Sequence, residues 1–252
     1  MIEIKLSAEK IISFFADIEL TPIEKGYLES HAIRYSHIIQ TIDPLIKKII
    51  ETKNKVNILD IGPHYLTGIL KRFYGEKVEI NTLGWPIDKK IVPSEMIHTH
   101  FNFDLNCCQH KEKWISSDKH DLVIMAEVIE HLHTAPSIVL DFVSTFINPG
   151  GFLYLGTPNA VSLKKRMIML MGQNPYEKIR ENCINPGHFR EYTIQEIKEY
   201  CREVNLSIYD YEIVNYTPAM GVKGKIVRFL GRKYNNFNEM LSIIAQKTNV
   251  LF

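Results

Sequence analysis

Two carboxylates and two imidazoles crowd the end of one apolar run, Leu122–Ala126 followed by Glu127, Glu130, His131 and His133. Carboxylates and imidazoles at short spacing serve as general acids and bases, or as ligands of a divalent cation. The apolar run has the length and continuity of a parallel strand covered on both faces. A helix is expected over roughly 128–146. On it, Glu127, Glu130 and His131 would fall at i, i+3 and i+4, on one face. In open α/β sheets, ligands sit beyond the carboxyl ends of the strands. The cluster is therefore expected where chemistry occurs.

The surrounding chain supplies the elements for such a sheet. Residues 7–18 and 22–50 have helical spacing, and Thr21-Pro22 offers an N-cap followed by a proline at the first helical position. Val56–Gly62 reads as a strand ending in Asp60 and a glycine turn, and Leu66–Tyr74 as the next helix. Val78–Leu83 is a second strand leading into Gly84-Trp85-Pro86, and residues 96–104 a third. Asn148-Pro149-Gly150-Gly151 is expected to break the helix that follows the fourth strand, with Phe152–Gly156 as the fifth. Residues 160–187 interrupt the alternation and read as a lid. Thr193–Val204 follows as an amphipathic helix, Leu206–Tyr216 as a strand, 222–234 as a basic helical stretch, and Met240–Ala245 as a closing strand. Alternating strands and helices imply βαβ units, a mostly parallel sheet and right-handed crossovers. The expected organisation is an N-terminal helical cap, 1–50, and a main domain, 51–252, with lid insertions at about 160–187 and 217–238.

Bulk properties narrow the function classes. The 252 residues carry a formal net charge of +1, which gives no electrostatic case for a nucleic-acid partner. Glu3, Lys5, Glu9 and Lys10 interrupt any signal-peptide pattern, and no apolar run is long enough to span a bilayer. Cys107, Cys108, Cys183 and Cys201 lack zinc or redox spacing, so they read as reduced thiols of a cytoplasmic protein.

An ordered set of motifs resembles the class I S-adenosylmethionine-dependent methyltransferases. It comprises Asn57–Gly62, Phe103-Asp104-Leu105, Asp121–His131, Asn148–Asn159 and Gly187–Thr193. The resemblance implies an α/β, Rossmann-like seven-stranded sheet, helices on both faces and a reversed final strand. It implies S-adenosylmethionine as cofactor, with Asp60, Gly62, Pro63 and His64 at the first loop and Gly84 and Trp85 at the second. It further implies Asp104 and Leu105 at the adenine, and Ala126 and Glu127 beside the sulfonium. Glycine suits the first loop, because a Cβ would intrude on the cofactor. The loop departs from the family, reading Gly62-Pro-His-Tyr-Leu-Thr-Gly68, and the acid expected to bind the ribose hydroxyls is replaced by Gly84-Trp85-Pro86, with Asp88 the nearest acid. Trp85 either covers the adenine or packs in the core.

Glu127, Glu130 and His131, with the later His188, more particularly resemble the ubiquinone-pathway O-methyltransferases and the metal-dependent small-RNA 2′-O-methyltransferases. That resemblance implies one divalent cation, Mn²⁺, Fe²⁺, Zn²⁺ or Mg²⁺, held by Glu127, Glu130, His131 and His188. Glu130, His131 and His188 would then form the catalytic centre, the metal lowering the pKa of an acceptor hydroxyl. A metal-free reading stands beside it, in which Glu130 packs the helix and His131 or His188 is a general base. His133 falls off the shared face, and His64, His98, His100, His110 and His120 read as structural or exposed. Asn159 is either an acceptor contact or part of a turn. Tyr27, His31 and Arg34 either cover the site or form an exposed polar face. The basic, methionine-rich stretch Lys164–Met171 and the basic stretch Val222–Lys233 are either lid or core segments or peripheral contacts with a membrane.

The resulting expectation is an O-methyltransferase acting on a small molecule or glycan precursor. The rivals are a methyltransferase-fold scaffold without activity, an RNA 2′-O-methyltransferase, and a nucleotide-dependent oxidoreductase. The last lacks a Gly-x-Gly-x-x-Gly fingerprint after the first strand.

Overall fold

The computed structural model describes residues 7–182, 185–216, 231 and 234–248. The basic stretch expected at 222–234 lies largely outside the described residues. Seven strands are hydrogen-bonded in the order β3-β2-β1-β4-β5-β7-β6: β1 Val56–Ile61, β2 Val78–Gly84, β3 His100–Asn102, β4 His120–Ala126, β5 Ile147–Pro158, β6 Leu206–Val214 and β7 Met240–Lys247. β1 runs parallel to β2 and β2 to β3, whereas β7 is antiparallel to both β5 and β6. β7 is thus the reversed strand. The chain forms two compact units, one comprising the chain up to Phe103 plus His120–Val123, the other Asp104–Lys119 and the chain from Ile124.

In the first unit, α1 (Ala8–Ser13) and α2 (Pro22–Lys53) accompany β1–β3. The boundary expected at residue 50 therefore falls inside a helix. Thr21 and Glu24 form a reciprocal capping box that satisfies the first free amides of α2. Leu28, Ala32, Tyr35, Ile39, Ile42 and Ile46 recur at helical spacing and form its buried stripe. α3 (Tyr65–Tyr74) follows β1 and buries Leu66, Ile69 and Leu70. Asp121 ties the unit together: its carboxylate accepts from Lys53 Nζ at 2.5 Å and from the Asn57 amide at 3.1 Å. His120 is buried and meets Asn81 Nδ2 at 3.0 Å, so it is structural.

In the second unit, α4 (Pro136–Thr145), α5 (Leu163–Leu170) and α6 (Ile194–Glu203) surround β5–β7. Ile124, Met125, Leu153 and Tyr154 are fully buried, as the continuous apolar runs require. Two expectations are corrected here. The helix expected over 128–146 is instead a single 3₁₀ turn, Ile129–His131, followed by an irregular link and then α4. Pro136 sets that start, because a proline drives the preceding residue out of the helical region, and Ala135 is extended, with φ −56° and ψ 132°. Asn148–Gly151 belongs to β5 and breaks no helix. Those residues precede the β5–β7 register, which begins at Phe152, so Pro149 removes no donor from that ladder.

No helix among the described residues is long and apolar enough to cross a membrane.

Candidate active site

The site grows from the end of β4. Glu127 adopts a left-handed backbone, φ 57°, while its amide donates to Gly156 O at 2.8 Å. A non-glycine residue in this region is uncommon and clusters at functional sites. The kink means that Glu127, Glu130 and His131 do not share one helix face. The short turn instead buries Glu130 completely and leaves His131 partly open.

His188 arrives from 57 residues beyond His131 in the chain. Its approach is fixed by backbone bonds, since the carbonyl of Glu130 accepts from the amides of Phe189, at 2.8 Å, and Arg190, at 3.3 Å. Gly187 makes the turn possible. Its φ is +90°, and a Cβ there would lie 2.8 Å from Glu177 Oε1, the oxygen that holds the His188 amide at 2.9 Å. We expect Gly187→Ala to destabilise the fold by about 1–3 kcal/mol, the usual cost of forcing a side chain into such backbone. Urea denaturation measures this, and an unchanged midpoint would show that the turn relaxes freely.

The donor atoms then converge. Glu130, His131 and His188 each present one ligand atom, all within 4.8 Å of one another. The two imidazole rings meet edge to face at 4.8 Å. His131 Nδ1 is 2.9 Å from Gly187 O, so it is the protonated nitrogen, and Nε2 lies 4.0 Å from Glu130 Oε1. His188 Nδ1 lies 3.2 Å from Glu191 Oε1, and Thr157 Oγ1 donates to Glu130 Oε2 at 2.9 Å. Burial lowers the pKa of His188, and the neighbouring His131 adds to the effect, so the ring is held neutral near pH 7. Two imidazoles and a carboxylate, each oriented by an outer partner, are a donor set that suits a divalent transition metal. Glu127 is not among the three convergent residues.

The first unit carries the other expected cluster. Asp60, at the end of β1, is buried and accepts from Thr67 Oγ1 at 2.6 Å. Burial pushes its carboxyl up to about 7, and the Thr67 hydroxyl only partly offsets this. The Gly62 amide donates to Leu83 O at 2.9 Å, drawing the first loop beside the second. A Cβ on Gly84 would lie 3.2 Å from Pro63 Cδ, so the two loops approach with no room for a side chain. Tyr65 and Leu66 are buried in the first turn of α3. Tyr27 on α2 stacks on His31 at 4.0 Å and packs against Tyr65 at 5.7 Å and His64 at 5.9 Å. Arg34 reaches the Tyr27 hydroxyl at 3.4 Å, so the Tyr27, His31 and Arg34 set is brought onto the first loop.

A sequence profile of the methyltransferase domain matches residues 34–211. The chain belongs to the methyltransferase-domain family. Its fold is shared with solved structures at low identity. One is a SAM-dependent methyltransferase from Archaeoglobus fulgidus, with TM-score 0.52 and 15% identity, covering 88% of this chain and 99% of that one. Another is the 1,6-didemethyltoxoflavin-N1-methyltransferase of Burkholderia thailandensis, with bound 1,6-didemethyltoxoflavin and S-adenosylhomocysteine, with TM-score 0.50 and 13% identity, covering 96% of this chain and 87% of that one. Among curated protein sequences none matches.

Placed in this methyltransferase, several expected residues change character. Trp85 is 48% exposed, which removes its core reading. Asp104 accepts from the Asn106 amide at 2.9 Å and caps the short turn that holds the buried Leu105. Asn159 is used by the backbone: Nδ2 donates to Asn236 O and Asn238 O, and Oδ1 accepts from the Val161 amide. It is therefore a turn residue. His133 is exposed, with its ring against Phe189. On α5, Met167, Met169, Leu170 and Met171 are exposed, so they are not core. Lys165, expected on a basic face, turns inward to Glu191. Cys107, Cys108 and Cys201 are free thiols, and burial raises Cys108 and Cys201 to about 12, which keeps them protonated and unreactive.

Sequence reasoning singled out Glu130, His131 and His188 but missed Glu191 and Lys165. The signal for Glu191 was its position three residues after His188 in the same motif. Lys165 had none, being one of three consecutive basic residues.

Proposed function

We propose that this methyltransferase uses S-adenosylmethionine to methylate a hydroxyl oxygen of a small molecule or glycan precursor, with Glu130, His131 and His188 holding a divalent cation at the acceptor. The convergence of three donor atoms within 4.8 Å carries this reading. When bound, the metal would lower the pKa of the acceptor hydroxyl and neutralise its developing charge. Methyl transfer is an in-line displacement: the hydroxyl releases its proton to solvent, and the oxygen–carbon bond forms as the sulfonium carbon–sulfur bond breaks and its electron pair stays on sulfur. Much of the rate in such a step comes from placing the oxygen against the methyl group. Thr157 and the Gly187 carbonyl fix Glu130 and His131 for that purpose, while Glu127, expected as a further ligand, lies outside the convergent set. Asp60, Gly62, Pro63, His64, Gly84 and Trp85 are assigned to the cofactor by the family resemblance, supported by the tight approach of the Pro63 and Gly84 loops. Asp104, Leu105 and Ala126 are assigned to the cofactor by the resemblance alone.

The contact between His188 Nδ1 and Glu191 favours a second reading, in which His188 Nε2 takes the acceptor proton with no metal. Transfer of a labelled methyl group from S-adenosylmethionine to a panel of catechols, phenols and sugar alcohols separates the two. The metal reading expects activity to disappear on exhaustive chelation and to return with Mn²⁺. Full activity after chelation, lost only in His188→Ala, would support the general base. Failure to bind S-adenosylmethionine at millimolar concentration would contradict both.

A further inference from the structure

Behind His188 lies a second layer of side chains, Glu191 and then Lys165. Glu191 is almost completely buried, and its two carboxylate oxygens face different partners. Oε1 faces His188 Nδ1 at 3.2 Å, and Oε2 pairs with Lys165 Nζ. Lys165 comes from α5 and is itself anchored, since Nζ donates to Asn159 O at 2.9 Å. Asn159 is pinned in turn by the bonds of its side chain to Asn236 and Asn238 and by its bridge to Tyr192. An ion pair this far from water is costly unless both charges find further partners. Here the carboxylate has the imidazole and the ammonium has a backbone carbonyl. The largely buried Lys165 and Glu191 face each other, and the remaining carboxylate oxygen faces the His188 ring.

We propose that Glu191, held by Lys165, is a positioning residue that keeps the proton of His188 on Nδ1 and leaves Nε2 bare toward Glu130 and His131. This inference rests on the reading of Glu130, His131 and His188 as a metal centre. A carboxylate behind a histidine fixes the tautomer, orients the ring and raises its basicity as a ligand. Lys165 prevents the carboxylate from swinging away. The lid helix α5 is thereby coupled to the ligand set, because it carries the residue that anchors the anchor.

The test compares the full-length wild type with Glu191→Ala, Glu191→Gln and Lys165→Met. Mn²⁺ affinity is measured by calorimetry, and the ¹⁵N chemical shifts of the His188 ring in the metal-free protein report its tautomer. Glu191→Ala should weaken Mn²⁺ binding by about 10–100-fold, the usual loss for such outer partners. S-adenosylmethionine affinity should stay within about twofold, a margin well under the 1.4 kcal/mol of a tenfold change. Glu191→Gln, whose amide oxygen still accepts from Nδ1, should recover most of the loss. Lys165→Met should fall between them. Wild-type Mn²⁺ affinity retained in a folded Glu191→Ala would overturn the proposal. If that variant does not fold, the wild-type ring decides: a proton on Nε2 contradicts the assignment, and a proton on Nδ1 supports it. A wild-type protein that binds no Mn²⁺ while showing the Nδ1 proton would sink the metal reading and leave Glu191 as the partner of a general base.

Discussion

Glu130→Ala is expected to lower methyl transfer by more than about 100-fold at saturating S-adenosylmethionine. Outer-sphere partners of a metal centre are worth about 10–100-fold, and a direct ligand must exceed them. Glu130 is the one fully buried member of the set, and two separate groups hold it. Thr157 donates to its carboxylate, and its carbonyl receives the amides that deliver His188. Alanine keeps the backbone bonds, so the loop bearing His188 should stay in place while the ligand disappears. The Thr157 hydroxyl would then lie buried beside an empty space, destabilising the fold by about 1–3 kcal/mol. Glu130→Gln separates the two effects. It can still accept from Thr157 but carries no charge, so stability should recover and activity should not. Steady-state transfer rates and thermal melts on the same preparations check both. A Glu130→Gln enzyme of wild-type rate would show that the charge is unnecessary.

Asp60→Asn should have the largest effect on stability, and the effect should depend on pH. The folded protein holds this carboxyl at about 7, against an ordinary value of 3.8. A raised pKa means that the folded state binds its proton more tightly than the unfolded state. The wild type therefore loses stability as pH rises from about 4 to about 7, and the loss levels off above that range. A shift of about three units corresponds to at most about 4 kcal/mol. Asparagine stays neutral and keeps an oxygen for Thr67, so the variant should be several kcal/mol more stable than wild type at pH 8. The two should be nearly equal at pH 4. Its cofactor affinity should fall, because the resemblance places Asp60 at the methionine end. Chemical denaturation across this pH range measures the difference, and parallel stability profiles would contradict the assignment.

Much of the sheet was legible because buried parallel strands write themselves as continuous apolar runs. Leu122–Ala126 is of this kind, while Val56–Ile61 and Val78–Gly84 keep a buried apolar framework around Asn57, Asp60, Glu79, Asn81 and Thr82. Thr21 and Pro22 marked the start of α2 through local capping chemistry, and amphipathic spacing marked α6. The link after β4 was misread for a physical reason. Ile129 and Leu132 are buried, so their spacing imitates a helix face, while Pro136 was the better sign of where α4 starts. Asn148–Gly151 looked like a breaker because turn residues also occupy strand starts. The candidate site was half visible. Glu130 and His131 are neighbours in sequence, but the approach of His188 depends on backbone bonds to the Glu130 carbonyl, which no local pattern encodes. Glu191 and Lys165 become partners only after both segments have folded against Asn159.

The central claim is that Glu130, His131 and His188 form a metal-holding acceptor centre in a S-adenosylmethionine-dependent enzyme. Its most direct test is anomalous diffraction, at the manganese edge, from crystals grown with S-adenosylhomocysteine and Mn²⁺. The account predicts one strong peak bonded to a Glu130 carboxylate oxygen and to Nε2 of both His131 and His188. Density for S-adenosylhomocysteine without a manganese peak among these three residues would contradict it.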